Sequence, residues 1–368
     1  MKKRKAVKIL LILFALITGV GLAVWLFLTR NPVFGGSATA KQQADYAARA
    51  DNYREGRFFY PEEYILPGKS ENIYRSQKGT KPQATLRLEP LAIPESPEPD
   101  KVYVTWLGHS ALLVQMGGKN ILIDPVFSDR ASPVSFAGPR RFTEKPDLSA
   151  LPRIDLLLLT HDHYDHLDME TVRALAGMTD RFVVPLGVEN HLVRWGVERD
   201  RITEMAWWEE LQFDGLTLGC TPARHYSSRK GTDAGATLWC SWVLKTDRHL
   251  VFESGDTGWG GHFAAIHEKY GDFDLVLTDG AQYDLKWHDI HMLPEEAAEA
   301  CAVLGAHVSM PIHWGAYSLS PHPWDDAVER FTAAAEAAGL PCVTPRLGQT
   351  MDLSSPELYR ETWWREIP

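Results

Sequence analysis

One stretch constrains this chain more than any other. An apolar run, Leu156-Leu157-Leu158-Leu159, leads straight into Thr160-His161-Asp162-His163-Tyr164-Asp165-His166-Leu167-Asp168. The run reads as a buried strand, and the loop after it gathers three imidazoles and three carboxylates. Histidine is only 14 of 368 residues, so an H-x-H-x-D-H string would arise by chance with a probability of about 0.001. Imidazole and carboxylate are the donors that borderline cations such as zinc prefer. Donors two residues apart in a loop can face one ion, and Asp165 with His166 can face a second ion beside it. One loop cannot fill two coordination spheres, so other strand ends must contribute. His225 in Thr221-Pro222-Ala223-Arg224-His225, Asp256 in Gly255-Asp256-Thr257-Gly258, and His313 in Ile312-His313-Trp314-Gly315 are the candidates. Each follows an apolar β-like stretch and stands near glycine or proline, where a loop begins.

The N-terminus carries the second constraint. Ile9 to Leu28 is apolar without a charge, and about 20 residues at about 1.5 Å rise span about 30 Å, the thickness of a bilayer core. A secretory signal has a shorter apolar run, and the small-residue site Ala38-Thr39-Ala40 lies well beyond this one. The expectation is a single uncleaved membrane anchor. Lys2, Lys3, Arg4, Lys5 and Lys8 precede it and only Arg30 follows closely. By the positive-inside rule the N-terminus lies in the cytoplasm and the rest lies on the periplasmic or extracellular face. The chain has 38 basic and 48 acidic residues, net −10. Because the tail and anchor hold six of the bases and no acid, the remainder stands at −16. Such a body is a poor match for nucleic acid, whose binding rests on neutralising phosphates. Four cysteines without C-x-x-C spacing exclude a disulfide scaffold.

Three parts are expected: a basic tail and anchor over 1–30, a stalk and N-terminal extension over 31–100, and the catalytic body over 101–368. In the body, Val102–Leu107, Ala111–Met116 and Asn120–Ile123 read as strands, with Gly117-Gly118 as a hairpin turn. Further strands are expected at 154–159, 182–185, 216–222, 237–245, 249–253, 275–278 and 308–312. Helices are expected at 169–176, 261–269, 294–304 and 324–338, the third opened by Pro294-Glu295-Glu296. Strands with helices outside them argue for a layered α/β body.

With H-x-H-x-D-H, the pieces WLGHSALLVQM (106–116), IDPVFSDRASPVSFAGPRRF (123–142), SGDTGW (254–259), HMLPEEA (291–297) and IHWGAYSL (312–319) make the sequence resemble the metallo-β-lactamase superfamily. Within it, the chain resembles the N-acyl-phosphatidylethanolamine phospholipase D-like group. The resemblance runs from about Tyr103 to Leu319. It implies an α/β, four-layer αββα sandwich behind the membrane helix, with two zinc ions per chain at one edge. It further implies that His161, His163 and His225 hold the first ion, that Asp165, His166 and His313 hold the second, and that Asp256 bridges them.

The function then expected is that of a membrane-anchored dinuclear zinc hydrolase. It would be a phosphodiesterase of phospholipase D type, acting on N-acyl-phosphatidylethanolamine-like lipids through attack of a metal-bound hydroxide on phosphorus. Asp165, His166 and Asp256 are the expected catalytic residues, and His109, His291, Trp207, Trp208 and Tyr283 the candidate substrate contacts. Arg140 and Arg141 are further candidates to meet a phosphate. The competing expectation is a zinc-dependent lactonase or ester hydrolase of a small, phosphorylated metabolite, because the H-x-H-x-D-H core would look the same. The stretch from Gly280 to Ile290 departs from the lipase family, while His291 matches it. The expected partners are a phospholipid or small ester substrate and the membrane, with a homodimer possible.

Overall fold

The computed structural model describes residues 2–62 and 79–367; the stretch 63–78 of the expected N-terminal extension lies outside the described residues. The chain begins with helix α1 (Lys2–Arg30). Its Val7–Arg30 portion has a mean hydropathy of 2.7 in its most apolar window, and none of that window is buried. By length and composition this helix is a candidate membrane span.

The segment read as a stalk is not free of the body. Helix α2 (Ala40–Arg49) starts with a capping box in which Thr39 and Gln42 satisfy each other's backbone amides. Its Tyr46 is fully buried. A short hairpin follows, β1 (Tyr53–Arg54) and β2 (Arg57–Phe58). Tyr46, Ala50, Phe58 and Tyr60 pack with Leu186, Leu238 and Trp239 of the body. Only a few large apolar residues carry this docking, so no helical stripe announces it in the sequence.

The body is built on two sheets. The first orders β15 (Thr350–Asp352), β3 (Val102–Trp106), β4 (Leu112–Met116), β5 (Lys119–Ile123), β6 (Ile154–Leu158), β7 (Thr179–Pro185) and β8 (Ile202–Met205). The second orders β14 (Val308–Ile312), β13 (Leu275–Asp279), β12 (Leu250–Glu253), β11 (Ser241–Lys245), β10 (Leu216–Thr221) and β9 (Glu210–Phe213). Alternation of side chains decides the layering. Val104, Leu112, Val114, Ile121, Leu156 and Leu158 point inward and meet Leu218, Trp242, Leu244, Val251, Leu277 and Met310 of the other sheet. Leu113, Leu122, Leu157 and Phe182 point outward under α3 (Met169–Leu175) and α4 (Glu189–Arg194). Val243, Phe252 and Val276 point outward under α5 (His262–Tyr270), α6 (Pro294–Val303) and α7 (Asp326–Ala337). With both faces of each sheet covered, most strands are buried throughout, and the expected αββα order is the observed one.

Strand direction then positions the site. β5, β6 and β7 run parallel, as do β12, β13 and β14. β10 points the same way as β12, since both are antiparallel to β11. The loops that leave the ends of β5, β6, β10, β12, β13 and β14 therefore emerge on one edge of the sandwich.

A partly buried carboxyl joins α2 to this body. Glu204 of β8 accepts from the Gly187 amide at 2.6 Å and lies 3.5 Å from the Tyr46 hydroxyl. Burial pushes its pKa up to about 7, against the pull of the Gly187 amide and Arg49. The unfolded value is about 4.3, so folding favours the protonated form. That contribution is complete below about pH 4 and is lost as pH rises through 7. Glu204→Gln should gain melting temperature relative to the parent between pH 5 and pH 8; parallel melting profiles would contradict this.

Candidate metal centre

The H-x-H-x-D-H loop leaves β6 and turns at once. The amides of His166 and Leu167 both donate to the His163 carbonyl, at 3.1 and 2.8 Å. Asp168 then caps α3 by accepting from the amides of Glu170 and Thr171. This tight turn throws His161 and His163 one way and Asp165 and His166 another. His225 arrives after β10, Asp256 after β12 and His313 after β14. His109, Asp124 and His313 adopt left-handed backbone, with φ of 57°, 41° and 69°. Such residues cost about 1–3 kcal/mol each and persist where the surroundings fix them, commonly at active sites.

The structure brings all seven expected ligand residues together in two groups that share Asp256. In the first, His163 Nδ1 lies 2.9 Å from His161 Nε2 and 3.1 Å from His225 Nε2. Asp256 Oδ2 closes it at 3.6 Å from His161 and 3.7 Å from His225. In the second, Asp165 Oδ2 lies 3.2 Å from His313 Nε2 and 3.5 Å from His166 Nε2. Asp256 Oδ1 closes that group at 3.0 Å from His166 and 3.4 Å from His313.

These donors fit metal ions better than they fit each other. Zinc–nitrogen bonds of about 2.0–2.1 Å in a tetrahedron put neighbouring nitrogens about 3.3 Å apart. The separations here cluster about that value. His163 Nδ1 faces two imidazole nitrogens, yet one ring nitrogen can complete only one hydrogen bond. Asp256 Oδ1 is buried without an aligned donor, and so is His163 Nε2. Cations among these atoms would satisfy what hydrogen bonds leave open.

The electrostatics divide along the same line. Burial holds the imidazoles of His161 and His225 well below their ordinary pKa, and His163 below it, so the three imidazoles of the first group are neutral and ligand-ready. Burial acts the same way on His166, but Asp256, Asp165 and the hydrogen bond to Asp124 outweigh it and raise that imidazole well above its usual range. His313 is raised to about 10, with Asp256 and Asp279 overcoming burial. Burial would raise Asp165 and Asp256, yet the facing His166 keeps both carboxyls well below theirs. The second group is thus a buried set of opposite charges, the setting in which a cation can replace protons.

Two carboxylates that the sequence reading did not single out hold the imidazoles of the second group. Asp124, at the end of β5, lies 2.7 Å from His166 Nδ1. Asp279, at the end of β13, lies 3.0 Å from His313 Nδ1 and 2.8 Å from His291 Nδ1. Both are fully buried. The available signal was an acid closing an apolar strand, Ile121-Leu122-Ile123-Asp124 and Leu275-Val276-Leu277-Thr278-Asp279. Such carboxylates fix the ring so that Nε2 faces the site. The Ile290 carbonyl does the same for His225 Nδ1 at 3.1 Å.

A cavity of about 260 Å³ opens beside both groups, lined by His163, Asp165, Tyr226, Gln282, Trp287, Ile290, His291 and Leu319, among others. The expected substrate contacts divide. His291 lines this cavity. His109 is 1% exposed and lies 3.0 Å from Asp165 Oδ2, behind the metal groups rather than in the cavity. Burial and the neighbouring His313 lower it to about 3, so it is neutral. Three aromatics are elsewhere. Trp207 donates its indole N–H to the Trp239 carbonyl in the cluster under α2. Trp208 packs under Lys269 at the surface. Tyr283 bonds Asp326 and Arg330 on α7 and stacks on His322. Trp207 and Tyr283 are aromatics whose polar tips have partners outside the site. Arg141 is buried, with its guanidinium on the carbonyls of Val126, Leu107 and Thr143, so it does not face a phosphate.

Comparison with known proteins agrees with this geometry. Residues 119–314 match the family model described as the beta-lactamase superfamily domain. An uncharacterized protein of Mycobacterium tuberculosis is 40% identical over 332 residues, 86% of this chain and 88% of its own. The N-acyl-phosphatidylethanolamine-hydrolyzing phospholipase D 1 of Caenorhabditis elegans is 33% identical over 271 residues, covering 69% of this chain and 76% of its own. A metallo hydrolase of Ignicoccus hospitalis shares the fold with a TM-score of 0.54 at 23% identity, over 68% of this chain and 98% of that one. From the sandwich, the gathered imidazoles and carboxylates, and these relatives together, the chain belongs to the metallo-β-lactamase superfamily, as a metal-dependent hydrolase related to the N-acyl-phosphatidylethanolamine-hydrolyzing phospholipases D.

Proposed function

We propose that this chain is a membrane-anchored dinuclear zinc phosphodiesterase that cleaves N-acyl-phosphatidylethanolamine-like lipids on the distal, phospholipase D side of phosphorus. The observation that carries the reading is the pair of donor groups sharing Asp256 beside a cavity with an apolar wall. His161, His163 and His225 would hold one ion, Asp165, His166 and His313 the other, and Asp256 both. Two zinc ions there would supply a water whose pKa falls from about 15.7 to about 7, and positive charge against the negative phosphodiester. The protein's own part is orientation and proton handling. Asp279 accepts from His291 Nδ1 and leaves Nε2 toward the cavity, 4.0 Å from Asp256 Oδ2. His291 is thereby placed to exchange a proton with the departing oxygen. Tyr226, Trp287, Ile290 and Leu319 suit the apolar part of a lipid.

α1 would keep the enzyme at the bilayer that supplies such a substrate. The basic residues at its start favour a cytoplasmic N-terminus and a hydrolase outside it. The test uses full-length protein in detergent micelles, offered N-acyl-phosphatidylethanolamine beside a panel of lactones. Phosphatidic acid and N-acylethanolamine should form, and a chelator should lower the rate by at least about 10³-fold, as expected when the main charge stabiliser leaves. Lactone turnover with untouched lipid would favour the ester-hydrolase reading.

A further inference from the structure

Arg229 lies in the loop after β10, and its side chain is buried, 3% exposed. Its guanidinium makes no ion pair among the described residues. It spends its donors on backbone carbonyls of two distant segments. Nη1 donates to Asp162 O at 2.6 Å and Leu167 O at 2.9 Å, both within the metal-binding loop. Nε and Nη2 donate to Val33 O at 3.2 and 3.0 Å, just past the membrane helix. The ring of Tyr164, also in that loop, lies 4.1 Å from the guanidinium, and its hydroxyl donates to Arg229 O at 2.9 Å. A buried cation held by carbonyls and aromatic faces, without a direct ion pair, is expensive unless its fixed fork of donors is needed where it sits.

A second bridge runs beside it. Asp162 accepts from the Ser228 amide at 2.9 Å and lies 3.3 Å from His191 Nε2. The His191 ring packs directly on Gly35, where an added Cβ would stand 1.9 Å from Nδ1. Arg194 and Trp195 complete the contact, donating to the carbonyls of Arg30 at 3.0 Å and Pro32 at 2.6 Å. The carbonyls that end α1 are thus satisfied by the same part of the body that grips the metal loop.

We propose that Arg229, with His191, is a positioning residue that latches segment 29–36 to the metal-binding loop, so that docking of the anchor and metal affinity support each other. The proposal rests on the metal reading given above. Coupling of this kind is reciprocal. Zinc should slow amide exchange at 31–36, and a disturbed segment should weaken zinc.

The experiment uses the full chain in detergent, with zinc as the probe, read by competition titration and hydrogen exchange. In the parent, zinc should slow exchange at 31–36 as well as at 161–168. Arg229→Met should lower zinc affinity about 10–100-fold, the range seen when the support of a ligand is lost, and speed exchange in both segments. Arg229→Lys should restore part of both. Gly35→Ala, at a φ of +70° and facing no candidate ligand, should also weaken zinc. A parent that binds zinc without protecting 31–36, or Gly35→Ala and Arg229→Met chains of parental zinc affinity, would overturn the latch and leave the metal reading standing. A parent that takes up no zinc would overturn both.

Discussion

Replacing Asp256 by alanine should lower hydrolysis by at least about 10³-fold and strip bound metal from the protein. Its two carboxylate oxygens face different donor groups, Oδ2 toward His161 and His225 and Oδ1 toward His166 and His313. Asp256 thus links the two groups through its two oxygens. Several kcal/mol of transition-state charge stabilisation come from metal ions in such sites, and each 1.36 kcal/mol is tenfold in rate. The loss should fall on kcat, because the interaction is made with the reacting centre. Asp256→Asn keeps the shape and removes the charge, and should be nearly as damaging. Replacing Asp165 and His166 together should abolish hydrolysis while the fold persists, since both sit on a loop whose turn is made by backbone bonds. Metal content by mass spectrometry with steady-state kinetics decides the matter. An Asp256 variant with unaltered metal and rate would remove the residue from the site.

Asp279→Ala should have the next largest effect, although Asp279 is fully buried and does not itself line the cavity. One carboxylate holds two imidazoles, at 3.0 Å from His313 Nδ1 and 2.8 Å from His291 Nδ1. Its loss frees a proposed ligand and a cavity-lining proton carrier at once. Supports of this kind typically carry 10–100-fold in metal affinity or activity, and here both should fall by about that much. Asp279→Asn retains one acceptor oxygen and should recover part of the zinc affinity through His313. Asp124→Ala should do less, since Asp124 holds only His166 among the expected ligands. Competition titration with zinc and kcat on the lipid substrate separate the two roles. Parental values for both quantities in Asp279→Ala would contradict the assignment.

Much of the catalytic body was legible because local pattern and tertiary context agree there. Leu156 to Leu159 is apolar on both faces of a strand that packs against both layers, so the run and its loop could be read directly. The Gly117-Gly118 turn and the Pro294 helix start were equally plain, and the structure has β4–β5 and α6 at those places. Other elements carry weak local signals. Glu210–Phe213 and Thr350–Asp352 are short edge strands, stabilised by a single neighbour each. α4 has only six residues and no side-chain cap.

The site divides in the same way. Its expected ligands follow from residue type after a strand, because metal chemistry restricts the choice. Asp124 and Asp279 were missed since an acid at a strand end looks ordinary until its histidine is known. Trp207, Trp208 and Tyr283 were misplaced because aromatic character alone does not say which surface a side chain covers. The cavity is instead lined by Gln282, Trp287, Ile290 and His291 of one loop, together with Tyr226 and Leu319.

Under the proposed function, seven side chains drawn from the ends of four strands bind a pair of metal ions that share one carboxylate. Anomalous diffraction at the zinc edge, from crystals of the full chain grown with zinc, measures this directly. Two peaks are expected, one among His161, His163 and His225 and one among Asp165, His166 and His313, each in contact with Asp256. Imidazoles turned away from one another, or zinc bound only elsewhere on the chain, would contradict it.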